Sequence, residues 1–222
     1  DSVYVIGETF TSINANPKDW LDEKFVEVKK IESITLRAPG DDAFKPWSLT
    51  RGNETADFTI EDLGPTEELT SSASSPLKNL FSYARFEDVL TEADAEALRD
   101  TDEDRQAVIK TFDGFTYTID MAPKKQEEPK EGEEPASASG GDNYLLTIKV
   151  TGECPEKRTP GEDEKEEDAK KLDEEFAEEL KTQKETLAEQ KKLEGRVFEV
   201  TKWTVNSLIK KRDELVQEKE EE

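Results

Sequence analysis

Short segments of alternating or β-branched hydrophobic residues recur along the chain, and each predicts a β-strand. Alternation with a period of two places apolar side chains on one face of a strand and polar side chains on the other. The clearest example is 26–38, where Ile31, Ser33, Thr35 and Arg37 oppose Glu32, Ile34 and Leu36. The predicted strands are 3–6, 26–38, 44–51, 85–89, 106–112, 115–121, 144–151 and 196–200, with a short extended piece at 58–63.

Turn residues between these segments indicate antiparallel hairpins. Pro39-Gly40-Asp41-Asp42 separates the strands 26–38 and 44–51, and Asp113-Gly114 separates 106–112 from 115–121. Asp-Gly suits a tight hairpin turn. We also expect 144–151 to pair with 115–121.

Three short helices are predicted from capping signals and apolar spacing. Ser74-Ser75-Pro76 provides an N-cap and a first-turn proline for a helix that reaches Ala84. Thr91-Glu92-Ala93-Asp94 resembles a capping box for a helix that ends near Leu98. A terminal helix is predicted at 205–216.

The segment 162–193 predicts the longest helix, and Gly195 follows it as a C-cap glycine. A thin apolar stripe runs along an otherwise charged helix and consists of Ala169, Leu172, Phe176, Leu180, Leu187 and Leu193. Such a stripe either packs on the protein's own body or forms a seam with a partner helix. For the second alternative, the candidate partner-binding residues are Leu172, Phe176, Leu180 and Leu187.

The beginning of the chain is echoed near its end, because 2–21 and 196–215 both read as a strand followed by helix-like apolar spacing. Such self-similarity suggests a small unit used twice. The fold class predicted is α+β, with antiparallel hairpins and short helices in related units plus one long charged helix. We expect one globular body over 1–222, with units 1–122 and 144–216, interrupted by a disordered loop 123–143 and an acidic helical insertion 152–195.

The composition and net charge limit the classes of binding partner that we expect for this chain. The 222 residues carry a formal charge of −24, with no histidine and one cysteine. Nucleic acids and anionic membrane surfaces are bound through clustered lysine and arginine, so we expect neither as a direct partner of the folded body. No run of eighteen apolar residues occurs that would span a membrane.

The residues do not form a recognisable catalytic motif. The absence of histidine removes Ser-His-Asp and Cys-His catalysis as well as His-ligated zinc. Cys154 is a lone thiol, and the acidic segment 100–104 lacks the central glycine and the bidentate glutamate that an EF-hand loop needs. We therefore predict no enzyme, no cofactor and no metal. A hydrolase whose carboxylates pair in space stays open as an alternative.

Three tryptophans offer a different kind of site. Trp20, Trp47 and Trp203 either form an aromatic platform for a sugar or peptide, or pack within hairpins and between helix and sheet. The first alternative makes the protein a binding module for an envelope glycan or peptide.

The order of the segments resembles the bacterial domain-of-unknown-function family 4340. The resemblance is carried by Val3-Tyr4-Val5-Ile6, Trp20-Leu21-Asp22-Glu23-Lys24-Phe25, Val28 to Leu36, Trp47-Ser48-Leu49-Thr50-Arg51, a predicted helix with Leu77 and Leu80, Arg85-Phe86-Glu87-Asp88-Val89, Phe112 to Ile119 and Gly195 to Val200, with a Trp-x-Leu-x-Arg motif. It implies a β-rich body outside the cytoplasm, an N-terminal membrane anchor and genes beside ABC transport systems of the gliding-motility auxiliary type. The family offers no catalytic residues to transfer.

The expected function is therefore a non-enzymatic accessory or scaffold protein of a bacterial cell-envelope ABC-type transport complex. Its expected partners are proteins of that complex. Its expected location is the periplasmic side of the inner membrane, held by an anchor that precedes Asp1. The alternative is the glycan- or peptide-binding module that uses exposed tryptophans.

Overall fold

The computed structural model describes residues 25–100, 103–125, 143–153, 158 and 166–219, and of residues 166–168 the backbone only. The strand 3–6, the first copy of the repeat, Trp20, Cys154 and most of the polar loop lie outside the described residues. The elements in chain order are β1 (Ile31–Arg37), β2 (Trp47–Thr50), β3 (Thr59–Ile60), β4 (Glu67–Leu69), α1 (Ser71–Ser74), β5 (Asp88–Leu90), α2 (Glu92–Leu98), β6 (Arg105–Thr111), β7 (Phe115–Pro123), β8 (Asn143–Gly152), α3 (Glu166–Lys191), β9 (Val197–Thr201), α4 (Lys202–Val205) and β10 (Val216–Glu218).

The fold is α+β, as the sequence predicts. Eight strands form one sheet in the order β3-β2-β1-β6-β7-β8-β9-β5, and their pairs are antiparallel. A small second sheet pairs β4 with β10. β5 comes from the first predicted unit but pairs with β9 of the second, so the strands of the two units interleave in a single sheet.

A β-bulge changes which side chains of β1 face the core. Ile34 and Leu36 are buried and Arg37 is exposed, as alternation predicts. Ile31 is also buried, although strict alternation would place it on the outer face. The register with β6 shifts between Ile31 and Ser33, because the bulge inserts one extra residue and reverses the side on which the preceding side chain lies.

β6, β7 and β8 form an antiparallel meander at the centre of the sheet. Gly114 has a φ of +80° in the turn between β6 and β7, a backbone conformation that residues with a Cβ rarely adopt. The predicted pairing of 144–151 with 115–121 is confirmed by the register Tyr117 to Val150. Local turn chemistry and alternation thus determine this part of the sheet.

The predicted polar loop is shorter than expected, because Pro123 is the last residue of β7 and Asn143 is the first of β8. A buried carboxylate holds the two strand ends together. Glu199 accepts hydrogen bonds from Lys124 Nζ at 2.9 Å and from Asn143 Nδ2 at 2.6 Å. Paired in this way, the Glu199 charge has the partners that burial requires.

The main core covers one face of the sheet and is richest in aromatic residues near β5 and β9. The Phe198 ring lies 5.3 Å from Phe25 and 5.4 Å from Phe86, measured between ring centroids. Phe81 contacts Phe25 edge-to-face at 5.7 Å. These rings join the chain before β1, the loop before β5 and the strand β9, which are far apart in sequence.

The Trp-x-Leu-x-Arg motif lies on β2 and just after it, with its three defining residues turned into the core. Trp47 and Leu49 are buried, and the Trp47 indole N–H donates to the carbonyl of Lys210 at 2.9 Å. Arg51 is 8% exposed and donates to the carbonyls of Ile31 and Glu54. The motif is therefore part of the packing of this sheet.

Two predicted helices are wrong in position or extent. The helix expected from Pro76 to Ala84 is replaced by α1 and a 3₁₀ turn at Ser75–Lys78. The terminal helix expected at 205–216 is replaced by α4, a 3₁₀ turn at Arg212–Glu214 and the strand β10. The helix-like spacing of apolar residues in 205–216 does not determine the structure here, because β10 pairs with β4. The Thr70 N–H also donates to the Leu215 carbonyl at 2.9 Å.

An ion pair stabilises the attachment of this tail. Arg212 donates to both carboxylate oxygens of Glu67, at 3.2 and 2.6 Å, and to the carbonyl of Asp62. The hydrogen bonds from Arg212, with a further one from the Gly64 N–H, lower the pKa of Glu67 from 4.5 to about 2. The pair therefore persists well below neutral pH.

We expect Glu67→Gln to remove a pH-dependent part of the stability. Because the folded-state pKa of Glu67 is lowered, its contribution is complete above pH 4.5 and is lost as the pH falls towards 2. Urea unfolding of both proteins from pH 7 to 2 should show a constant difference above pH 4.5 that shrinks below it. A difference that does not change with pH would contradict this role of Glu67.

Candidate partner-binding helix

The C-terminal part of α3 is anchored to the sheet. Leu187 and Leu193 pack against the main core, and the Glu194 carboxylate accepts a 2.8 Å hydrogen bond from the Val150 N–H of β8. The β9 pairing of β8 ends at Leu146, so the helix covers part of an edge that β9 leaves unpaired.

A glycine makes this close approach possible. A Cβ added to Gly152 would lie 2.6 Å from Cδ1 of Phe115 and 3.4 Å from Cδ2 of Leu187. At the end of α3 the chain reverses through Gly195, whose φ is +73°. Gly195 has the positive φ expected of a C-cap glycine, but α3 ends at Lys191 and the turn 192–195 follows it, so the prediction that Gly195 caps the helix is wrong in position.

The N-terminal part of α3 extends away from this anchor. At a rise of 1.5 Å per residue, Leu172 lies roughly 22 Å along the helix axis from Leu187. Leu172 is 39% exposed, and Phe176 and Leu180 are half-buried. Among the described residues, none of these three belongs to the core or to the set packed against it.

The predicted stripe is therefore divided. Leu187 serves the protein's own packing, so its assignment to a partner-binding surface is wrong. Leu172, Phe176 and Leu180 remain candidates, and we call them the arm stripe. Asp173, next to Leu172 in sequence, forms an ion pair with Arg158 at 2.9 Å.

The tryptophan platform is not assembled as predicted. Trp47 is 3% exposed and its indole N–H is already bonded, so the prediction of an exposed platform is wrong for this residue. Trp203 on α4 is 76% exposed, and Trp20 lies outside the described residues. Of the predicted tryptophan platform, only Trp203 is exposed within the described part of the chain.

A small groove lies on the other face of the sheet, beside α2. It has a volume of about 240 Å³, and its lining includes Leu145, Val197, Asp120 and Arg99. Asp120 accepts a 2.6 Å hydrogen bond from Gln106, and Arg99 is paired with Asp104. The main charged groups of the groove thus already have partners within the protein.

Metal and membrane sites are not indicated by the part of the chain that the structure describes. Within it, no group of three or more histidine, cysteine, aspartate or glutamate residues is arranged to hold a metal ion. Among the same residues, no helix is long and apolar enough to cross a membrane.

No family model matches the chain, and no curated protein or solved structure matches it either. The resemblance to family 4340 therefore stays a prediction from strand patterns and from the Trp-x-Leu-x-Arg motif.

Proposed function

We propose that the protein is a non-enzymatic accessory or scaffold protein of a bacterial cell-envelope ABC-type transport complex. It acts on the extracytoplasmic side by holding a partner protein against α3. The observation that carries this proposal is the arm stripe, an apolar surface on a helix whose other end is firmly anchored. The transport complex itself is proposed from the resemblance in strand order.

The mechanism is passive recruitment. The sheet fixes the C-terminal end of α3 through Leu187 and Glu194, so the arm stripe keeps a defined position relative to the body. A partner helix that covers Phe176 and Leu180 would remove their apolar surface from water, which is the main source of affinity in helix-in-groove recognition.

We expect Phe176→Asp to abolish association with the complex and to leave the fold intact. A carboxylate buried at the centre of an apolar contact costs several kcal/mol unless it is paired. In the protein alone Phe176 is half-buried and lies outside the core, so the same substitution costs the fold less than it costs the complex. The measurement is purification of the full-length protein from its native membranes after crosslinking, with thermal unfolding of the variant in parallel.

A photo-crosslinking residue is placed at position 176 in one variant and at position 174 in another. Position 174 lies on the opposite side of the helix and is the matched control. Transporter subunits captured from position 176 and not from position 174 would support the proposal. Recovery of the protein alone from both positions would overturn it. Loss of folding in Phe176→Asp would instead assign the stripe to the core.

A further inference from the structure

Charge is unevenly distributed along α3. The fifteen residues Glu166–Leu180 contain eight carboxylates and two lysines, whereas the remaining eleven residues contain two carboxylates and three lysines. The acidic part is the part that carries the arm stripe. The nearly neutral part is the part that is anchored to the sheet.

Helix stability does not require this distribution. The helix dipole favours negative charges only within the first turn, but Asp173, Glu175 and Glu179 lie in the third and fourth turns. Opposite charges in i, i+4 pairs stabilise an exposed helix, and each part of α3 has such a pair, Lys171 with Glu175 at 3.4 Å and Lys181 with Glu185 at 3.9 Å. The carboxylates of the acidic part outnumber its lysines, however, and the excess negative charges repel one another.

The carboxylates border the stripe on both sides. Glu175 follows Leu172 by three residues and Glu179 follows Phe176 by three, so these two lie along one border. Asp173 precedes Phe176 by three and lies along the other. Asp173 is held by Arg158, and Glu179 lies close enough to Lys30 to help raise the pKa of that lysine, whose main cause is a hydrogen bond to Asp113.

We propose that the arm stripe binds an amphipathic helix of a partner protein whose apolar face is bordered by lysine or arginine. This inference rests on the proposed function, because it names the chemistry of the recruited partner. An apolar face matches Phe176 and Leu180, and basic borders match the excess of eight carboxylates over two lysines in this part of α3. A second copy of this chain is a poor occupant, since two acidic arms would repel each other.

The test uses two synthetic amphipathic helices with leucine on one face, one bordered by lysine and the other by glutamate. Binding of each fluorescent peptide to the full chain is measured by anisotropy at physiological salt. We expect the lysine-bordered peptide to bind at least about tenfold more tightly than the glutamate-bordered one. We expect Phe176→Asp to abolish its binding.

Two charge-reversal variants distinguish binding at the arm stripe from general electrostatic attraction of the lysine-bordered peptide to an acidic protein. Glu175→Lys alters a border of the stripe, and Glu174→Lys makes the same charge change about 160° away from Phe176 around the helix. Both side chains are exposed, but Glu175 is also paired with Lys171 at 3.4 Å, so thermal unfolding of both variants is measured beside binding to show that the helix remains folded. Glu179 is less suitable, because a lysine there would face Lys30. We expect Glu175→Lys to weaken the lysine-bordered peptide about fivefold more than Glu174→Lys does.

Equal weakening by both reversals would overturn the inference, because it would show only long-range attraction. The inference would also be overturned if the wild-type protein failed to bind the lysine-bordered peptide. The same holds if sedimentation showed a dimer of the wild-type protein that Phe176→Asp abolishes. These results are distinguishable from failure of the proposed function, since crosslinks from position 176 to transporter subunits would persist if only the partner chemistry were wrong.

Discussion

Phe198→Ala is expected to lower the free energy of unfolding by about 4 kcal/mol, the largest effect of a single substitution that we predict. Phe198 is 1% exposed and contacts the rings of Phe25 and Phe86. Its removal leaves a cavity where β9, the loop before β5 and the chain before β1 meet, and three separate segments would have to move to fill it. Equilibrium urea unfolding followed by tryptophan fluorescence measures the change.

Phe198→Leu is the matched control, because it keeps most of the volume and loses the aromatic edges. We expect it to cost about 1–1.5 kcal/mol. A loss of less than about 1 kcal/mol in Phe198→Ala would contradict the position of Phe198 in the core.

Arg51→Ala is expected to lower the free energy of unfolding by about 3 kcal/mol. The guanidinium lies 5.0 Å from the ring centre of Phe58 and 5.8 Å from that of Phe112, and it donates to two backbone carbonyls. Charge-assisted hydrogen bonds and cation–π contacts are strong at a site with so little solvent, and the side chain also contributes packing. Burial also lowers the pKa of the Arg51 guanidinium, because removal from water disfavours its charged form.

Two further variants test the reason for this loss. Arg51→Lys keeps the charge but cannot reproduce the planar fork, so we expect it to recover less than half of the lost stability. Thr50→Ala alters the exposed neighbour on the same strand and should cost no more than about 0.5 kcal/mol. Equal stability of the arginine and lysine proteins would contradict the fork geometry.

The role of Arg51 limits what the Trp-x-Leu-x-Arg motif says about function. Trp47, Leu49 and Arg51 are buried, and their partners are core residues or backbone carbonyls. A chain that shares this motif is therefore expected to share the packing of the β2 region. The motif by itself does not identify a ligand.

Local signals in the sequence predicted the central part of the sheet well. Asp113-Gly114 and the alternation on either side of it determine the hairpin of β6 and β7, and Thr91 determines the start of α2 by accepting the Asp94 N–H. These elements depend on interactions between residues that are close in sequence. The long helix was predictable for the same reason.

The candidate site was predictable only in part. Apolar spacing identified Leu172, Phe176, Leu180 and Leu187, but spacing is the same whether a helix face meets the protein's own sheet or a partner. The contact of Leu187 with the core depends on Gly152, which lies 35 residues away in sequence. The charge difference between the two parts of α3 was present in the sequence and became informative once the anchored part was known.

The sequence by itself determined the alternating strands β6, β7 and β8, the turn at Asp113-Gly114, the long helix α3 and the strongly acidic charge, because these properties arise from neighbouring residues. The tertiary structure alone decided that β5 pairs with β9 and that Val216–Glu218 is a strand against β4. It also decided that Trp47 is buried, and that Leu187 packs against the core whereas Phe176 does not. Each of these depends on backbone groups or apolar surfaces distant in sequence, whose pairing is selected by the free energy of the whole fold.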